Sequence, residues 1–330
     1  MKEVLNNLIG HRTLSKANAK QVLVDMATGK FNPSQISAFM TIYMMRGITV
    51  DELSGFRDAM LELCIPVKLD EPVMDLCGTG GDSKNTFNIS TLSSFVVAAA
   101  GQPVAKHGNY GVSSLSGSSN VMEYFGYRFT NDIDELKRSL DRSNICFMHA
   151  PLFHPAMKNV APIRKELGVK TFFNMLGPMV NPAFPVRQLV GVFNLELARQ
   201  YGYLYQQTEK QFVILHSTDG YDEVSLTSAL KYYCNTGDAV MEPEELGLPR
   251  LSSADLHGGD LVEDSAKIFM KILEGQGTTA QKAVVTANAG MALFCSNQKE
   301  GILAGIAKAK EALESGRALT AFKKLIEGQR

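Results

Sequence analysis

The chain has 330 residues, 45% of them apolar and 20% charged, a composition that excludes an extended disordered chain or a long coiled coil. A formal net charge of −1 leaves no general attraction to nucleic acid or anionic lipid, so any anion site must be local. No apolar run approaches the roughly 20 residues of a membrane span, and the start MKEVLNNLIGHRTL lacks a signal-peptide core. Cys64, Cys77, Cys146, Cys234 and Cys295 are scattered without a CxxC pair, which predicts reduced thiols and a cytoplasmic protein.

Up to about residue 70 the pattern predicts only helices. Ser15 caps a helix running to Thr28, stopped by Gly29. Asn32 followed by Pro33 opens a second, with Ile36, Phe39, Met40, Tyr43 and Met44 on one stripe. Thr49 and Glu52 form a capping box for a third, whose buried face is Leu53, Phe56, Met60 and Leu63. Three short amphipathic helices bury little alone, so this unit is expected to lean on the rest of the chain or on a second subunit.

From Val73 the pattern alternates strand and helix. Apolar runs at Val73–Cys77, Val104–Ala105, Ile145–Met148, Leu189–Phe193 and Phe212–Leu215 are each followed by loop and helix signals. Such alternation predicts an α/β domain over 71–330, with a mostly parallel central sheet flanked by helices. Loops after the strands then share one edge, where open α/β sheets bind ligands. The segment 151–182 breaks the alternation with prolines and two short helical runs, and is expected to return to the helical domain of residues 1–70.

Between Asp75 and Gly117 lie two polar, glycine-studded loops one helix apart. The first holds Gly78, Gly80, Gly81 and Asp82; the second is read as carrying Lys106, His107, Asn109 and a run of serines. Glycines turn backbone N–H groups inward through positive φ, and a helix N-terminus favours anions. Two such loops suit a ligand with more than one phosphate group. After Phe212–Leu215 comes His216–Glu223, where Asp222 and Glu223 are either a Mg²⁺ site or ordinary turn and surface charge. Arg164 is either a solvated helix-face charge or a guanidinium fork for a carboxylate or phosphate.

The run GTGGD at Gly78–Asp82, NIST at Asn88–Thr91, KHGN at Lys106–Asn109, the serines at 113–114 and 116–118, HPAM at His154–Met157, Arg164, and DGYDEVS at Asp219–Ser225 resemble, in order and spacing, the anthranilate phosphoribosyltransferases. The resemblance covers essentially the whole chain. It implies transfer of a phosphoribosyl group from phosphoribosyl pyrophosphate (PRPP) to the amine of anthranilate, a step of tryptophan synthesis. It also implies a fold of the nucleoside phosphorylase/phosphoribosyltransferase type, a homodimer and two Mg²⁺ per subunit.

By the same resemblance Gly78, Gly81, Asp82, Thr86, Asn88, Ser90, Thr91, Lys106, Ser114 and Ser118 would surround PRPP. Ser90, Asp222 and Glu223 would hold Mg²⁺, and Gly78, Asn109 and Arg164 would meet anthranilate. Lys106, Asn109 and Arg164 are the expected catalytic residues. Tyr110 and Leu115 stand where the family often has Arg and Lys, and Lys84 offers a compensating cation. His107 and His154 are expected to position rather than catalyse, because an aromatic amine is already neutral at pH 7. Two rivals, a pyrimidine nucleoside phosphorylase and a non-catalytic nucleic-acid-binding relative, fit poorly with KHGN and with the near-neutral charge.

Overall fold

The computed structural model describes residues 1–111 and 116–329, which form two compact units. The first comprises Met1–Val67 and Pro151–Phe184; the second comprises Lys68–Ala150 and the chain from Pro185 onward.

The first unit opens with a helix not expected from the sequence, α1 (Lys2–Ile9), whose N-terminus has no side-chain cap to mark it. Then come α2 (Lys16–Ala27), α3 (Pro33–Met45) and α4 (Val50–Leu63). Their starts follow local chemistry. Ser15 Oγ accepts from Asn18 N, Asn32 pairs reciprocally with Gln35, and Thr49 with Glu52. Phe39, Tyr43 and Phe56 pack with Phe172, a residue of the 151–184 segment, and Phe56 stacks on Phe172 at 4.6 Å. Aromatic side chains of this size carry most of a small unit's apolar burial.

Glu52 gives this unit a polar centre. Its fully buried carboxylate accepts from Leu14 N at 2.9 Å, Tyr43 Oη at 2.9 Å, Thr49 N and Oγ1 at 3.0 Å each, and Arg46 Nη1 and Nη2 at 3.1 and 2.5 Å. Burial pushes its carboxyl pKa up, but Arg46 and these N–H donors outweigh it, and the net shift is downward.

The second unit is built on a sheet of seven strands among the described residues, in the order β3-β2-β1-β4-β5-β6-β7. The strands are β1 (Met74–Gly78), β2 (Val104–Gly108), β3 (Ile145–His149), β4 (Arg187–Gly191), β5 (Gln211–Ser217), β6 (Leu230–Cys234) and β7 (Gly237–Met241). The first five run parallel; β6 and β7 add an antiparallel hairpin that the alternation did not reveal. Helix α5 (Ile89–Ala99) and the helices Thr279–Ser296 and Ile302–Glu314 bury a core with Leu76, Phe95, Leu189, Val213 and Phe269. Burying one such side chain contributes about 1.5–3 kcal/mol. No helix among the described residues is long and apolar enough to cross a membrane.

The strand order places a topological switch at β1, where β2 lies to one side and β4 to the other. Gly78 pairs with Gly191 at the ends of β1 and β4, so the segments leaving β1, β4 and β5 share one edge.

Candidate active site

At that edge the chain leaving β5 folds back over β4 to reach β1. Ser217 N bonds Tyr221 O at 3.2 Å, and Ser217 Oγ donates to Glu223 O at 2.7 Å, which tightens the Thr218–Glu223 turn. Asn288, buried in the helix Thr279–Ser296, clamps Val224 through its N–H and its carbonyl at 2.9 Å each. The turn thereby drives Asp222 into the sheet edge. An ideal Cβ on Gly191 would sit 1.5 Å from Asp222 O, and one on Gly78 would sit 2.2 Å from Asp222 Oδ2. Only glycine fits at either position. The expectation of a positive φ at Gly78 is therefore corrected: Gly78 ends a strand, and its constraint is the approach of Asp222. Gly81 does have the left-handed backbone, with φ +79°, as does Gly80 with +65°.

These contacts gather Asp82, Asp222 and Glu223, one carboxylate oxygen of each lying within 4.8 Å of the others. Asp222 Oδ2 accepts from Gly80 N at 2.7 Å, and Asp82 Oδ1 from Lys84 N at 3.1 Å. Thr86 Oγ1 reaches Glu223 Oε2 at 3.4 Å. Burial, and next the Asp82 charge, push the Asp222 carboxyl up to about 7. Burial, then Asp222 and Asp82, drive Glu223 well above the ordinary carboxylate range. Three converging acidic groups have the donor set of a hard divalent cation. Surface turn charge is excluded for Asp222, which is 7% exposed. Asp219 turns elsewhere, accepting from Thr227 and Ser228 hydroxyls.

The other expected site residues of this unit fall around the cluster's two loops. Asn88 precedes α5 but does not cap it with its side chain. Instead Asn88 Nδ2 donates to Ser116 O at 2.9 Å and Ser116 Oγ donates to Asn88 Oδ1 at 3.2 Å. Ser90 lies half-buried in the first turn of α5, and Thr91 is fully buried beside it. Asn109 O accepts from Ser119 N at 3.1 Å and Ser118 Oγ at 3.3 Å. Ser114 and Leu115 lie outside the described residues.

Lys106 and His107 belong to β2, not to the loop after it. The reason is register: parallel pairing with β3 continues through Gly108. Lys106 is 2% exposed, its Nζ donates to Leu76 O at 2.6 Å, and burial lowers its pKa while Asp75 pulls it up. His107 N donates to Asp75 Oδ1 at 3.3 Å. Lys84 Nζ stands 4.5 Å from the centre of the Tyr221 ring.

In the first unit Arg164 is half-buried on the helix Ala161–Leu167. Its guanidinium lies 5.1 Å from the Phe173 ring centre and reaches Asn174 Oδ1 at 3.4 Å. Burial lowers its pKa, and it has no carboxylate partner among the described residues. A solvated helix-face charge does not describe it. His154 Nε2 lies 3.0 Å from Val180 O, and burial drives its pKa down to about 4, so the ring is neutral at pH 7.

Gly191, Asn288 and the segment Leu256–Gly259 escaped the sequence reading. That last segment braces the first loop through Gly258 N to Asn85 O at 2.7 Å, Phe87 N to Leu256 O at 3.2 Å and Asn85 Nδ2 to Gly259 O at 2.8 Å. A signal existed in the adjacent glycines of HGGD, but nothing local tied them to residues 85–87.

Known proteins share this fold. Residues 70–319 match the glycosyl transferase family a/b domain, and residues 2–64 its helical bundle domain. The chain is 60% identical to an anthranilate phosphoribosyltransferase of Flavobacterium psychrophilum, over 98% of each chain, and 52% identical to that of Bacteroides thetaiotaomicron, over 99% of each. Its fold superimposes on the anthranilate phosphoribosyltransferase of Thermus thermophilus with a TM-score of 0.91, at 30% identity over 98% of each chain. The Saccharomyces cerevisiae enzyme in complex with PRPP and Mg gives 0.90 at 25% identity, over 98% of this chain and 96% of that one. With both domains matched and relatives of this identity along almost its entire length, the chain belongs to the anthranilate phosphoribosyltransferase family.

Proposed function

We propose that the residues around Asp82, Asp222 and Glu223 carry out the reaction of this family: transfer of the phosphoribosyl group of PRPP to the anthranilate amine, releasing pyrophosphate. The observation that carries the assignment is the convergence of three carboxylates on a glycine loop at the sheet's switch point. The left-handed turns at Gly80 and Gly81 bend the first loop tightly beside the carboxylates, and the start of α5 at Ile89 adds its dipole. Gly78, Gly81, Asp82, Thr86, Asn88, Ser90, Thr91, Lys106, Ser114 and Ser118 are assigned to PRPP.

Ser90, Asp222 and Glu223 are assigned to Mg²⁺, two ions per subunit, with Asp82 contributing from the facing loop. Bound there, Mg²⁺ supplies positive charge against the negative charge that grows on departing pyrophosphate. The chain's own part is orientation. Gly78, Asn109 and Arg164 are assigned to anthranilate, Arg164 for the planar fork that suits a carboxylate. The anthranilate nitrogen attacks C1′ from the face opposite the leaving group, the C1′–O bond to pyrophosphate breaks, and the amine proton leaves to solvent. Holding amine and C1′ in line is worth up to about 7–11 kcal/mol in favourable systems.

We assign a homodimer through the helical unit. Ile9, Met44 and Met45 of that unit are exposed, Met45 by 85%, in support. The five unpaired thiols support a reducing, cytoplasmic setting. The test is direct: purified protein mixed with anthranilate, PRPP and Mg²⁺ should extinguish anthranilate fluorescence, and should not cleave thymidine with phosphate. Absence of turnover, or thymidine phosphorolysis in its place, would overturn the assignment.

A further inference from the structure

The neck of the second loop is closed by one side chain that none of the preceding roles uses. Asn120 sits in α6 (Ser118–Tyr124), half-buried, and its Oδ1 accepts two backbone N–H groups: Gly117 at 3.0 Å and Gly111 at 2.9 Å. The first bond is ordinary helix capping, in which the third helical residue reaches back to the N-cap amide. The second is not, because Gly111 lies nine residues upstream, on the far side of the loop.

The two sides of the neck are in contact where these bonds form. An ideal Cβ on Gly117 would lie 2.1 Å from Gly111 N, 2.5 Å from Tyr110 C and 2.8 Å from Asn109 O. Immediately beside them Asn109 O takes the bonds from Ser118 Oγ and Ser119 N. Asn109 and Ser118 thus face each other across a neck that Asn120 ties at both ends. Both donors are N–H groups, so the acceptor must be an oxygen, and a carboxylate would serve equally.

We infer that Asn120 is a positioning residue for substrate binding at the second loop: by accepting Gly111 N and Gly117 N together it holds Ser118, assigned to PRPP, in register with Asn109, assigned to the acceptor. The inference rests on the assignment of this loop to PRPP made above. Preorganisation of this kind lowers the ordering cost of binding, so its loss appears in affinity for the ligand the loop contacts.

The experiment compares the full-length protein with Asn120→Ala and Asn120→Asp. Alanine is a strong helix former at this half-exposed position, so the fold is retained. The inference predicts that Asn120→Ala raises the KM for PRPP about tenfold through Ser118 and raises the KM for anthranilate as well through Asn109. Asn120→Asp should restore the wild-type KM. Amide hydrogen exchange should show Gly111 and Gly117 deprotected in the alanine variant and protected in the aspartate variant.

An unchanged KM for PRPP in Asn120→Ala, even with lowered thermal stability, would reduce Asn120 to a helix cap and overturn the inference. So would an aspartate variant as impaired as the alanine one. Failure of the wild type itself to consume anthranilate would instead refute the functional assignment, and the exchange measurement would still report on the neck.

Discussion

Glu52 in the helical unit and the Asp222–Glu223 pair in the α/β unit are acidic groups taken out of water and treated in opposite ways. In the helical unit Glu52 is saturated: six hydrogen bonds from Leu14, Tyr43, Arg46 and Thr49 surround it, and its pKa falls despite burial. In the α/β unit Asp222 and Glu223 sit with Asp82, and their pKa values rise. Burial penalises the charge in both places, so the difference lies in what faces it. The first carboxylate is complete without a ligand and does structural work. The second group concentrates negative charge at the one edge of the sheet where loops converge, and a cation completes it.

The largest effect that would break this contrast is on stability. Glu52→Ala leaves the Arg46 charge and several donors without their acceptor, and should cost about 3–5 kcal/mol in denaturant unfolding. Asp222→Asn with Glu223→Gln, in metal-free buffer at pH 8, should move the other way and unfold at higher temperature than wild type. Destabilisation of similar size in both variants would erase the distinction.

Arg164 sharpens the comparison with a third kind of buried charge, a cation without a carboxylate partner among the described residues. A charge-assisted hydrogen bond is worth about 1.5–3 kcal/mol. Arg164→Ala should therefore lower kcat/KM for anthranilate by about ten- to a hundredfold, while calorimetric binding of PRPP alone changes little. Loss of PRPP binding with an intact anthranilate response would make Arg164 a phosphate ligand instead.

A smaller effect follows from the pH dependence. Asp222 and Glu223 have folded-state pKa values raised above the unfolded ones, so near pH 5–6 the unfolded chain has released protons that the folded chain keeps. Stability then falls as pH rises from about 4 through about 7, where Asp222 titrates, and Glu223 adds to the fall in the same direction. Urea unfolding across this range should show that slope in the metal-free wild type relative to the Asp222→Asn, Glu223→Gln variant. Saturating Mg²⁺ should flatten it. A slope of opposite sign would mean that the carboxylates are already compensated.

What could be read from the sequence was what is local. Ser15, Asn32 and Thr49 announce their helices because a cap and its amide lie three residues apart. The β1–β5 runs are legible as apolar segments with the right punctuation. Helix α1 was not legible, because Met1 provides no side-chain cap. The β6–β7 hairpin turns on Asn235 and Thr236, without the Asn-Gly pair that advertises such turns.

Within the site, Asp222 and Glu223 stood out as adjacent acids, whereas their union with Asp82 spans about 140 residues and depends on strand order. Gly191 has no signature at all, since its need for glycine comes from Asp222 arriving 31 residues later. Lys106 read as a loop cation because burial in β2 is a property of register with β3. Motif and family resemblance supplied Asp82, Lys106, Asp222 and Glu223 but not Gly191; physical reading of neighbouring residues alone could not have joined them.

The most direct measurement is a Mg²⁺ titration of turnover, followed by loss of anthranilate fluorescence in the presence of PRPP, for wild type and for Asp222→Asn with Glu223→Gln. The account predicts saturable Mg²⁺ dependence in the wild type. In the variant, turnover should be lower by about a thousandfold or more, with the circular dichroism spectrum unchanged. Wild-type turnover independent of Mg²⁺, or a variant as active as the wild type at low Mg²⁺, would contradict it.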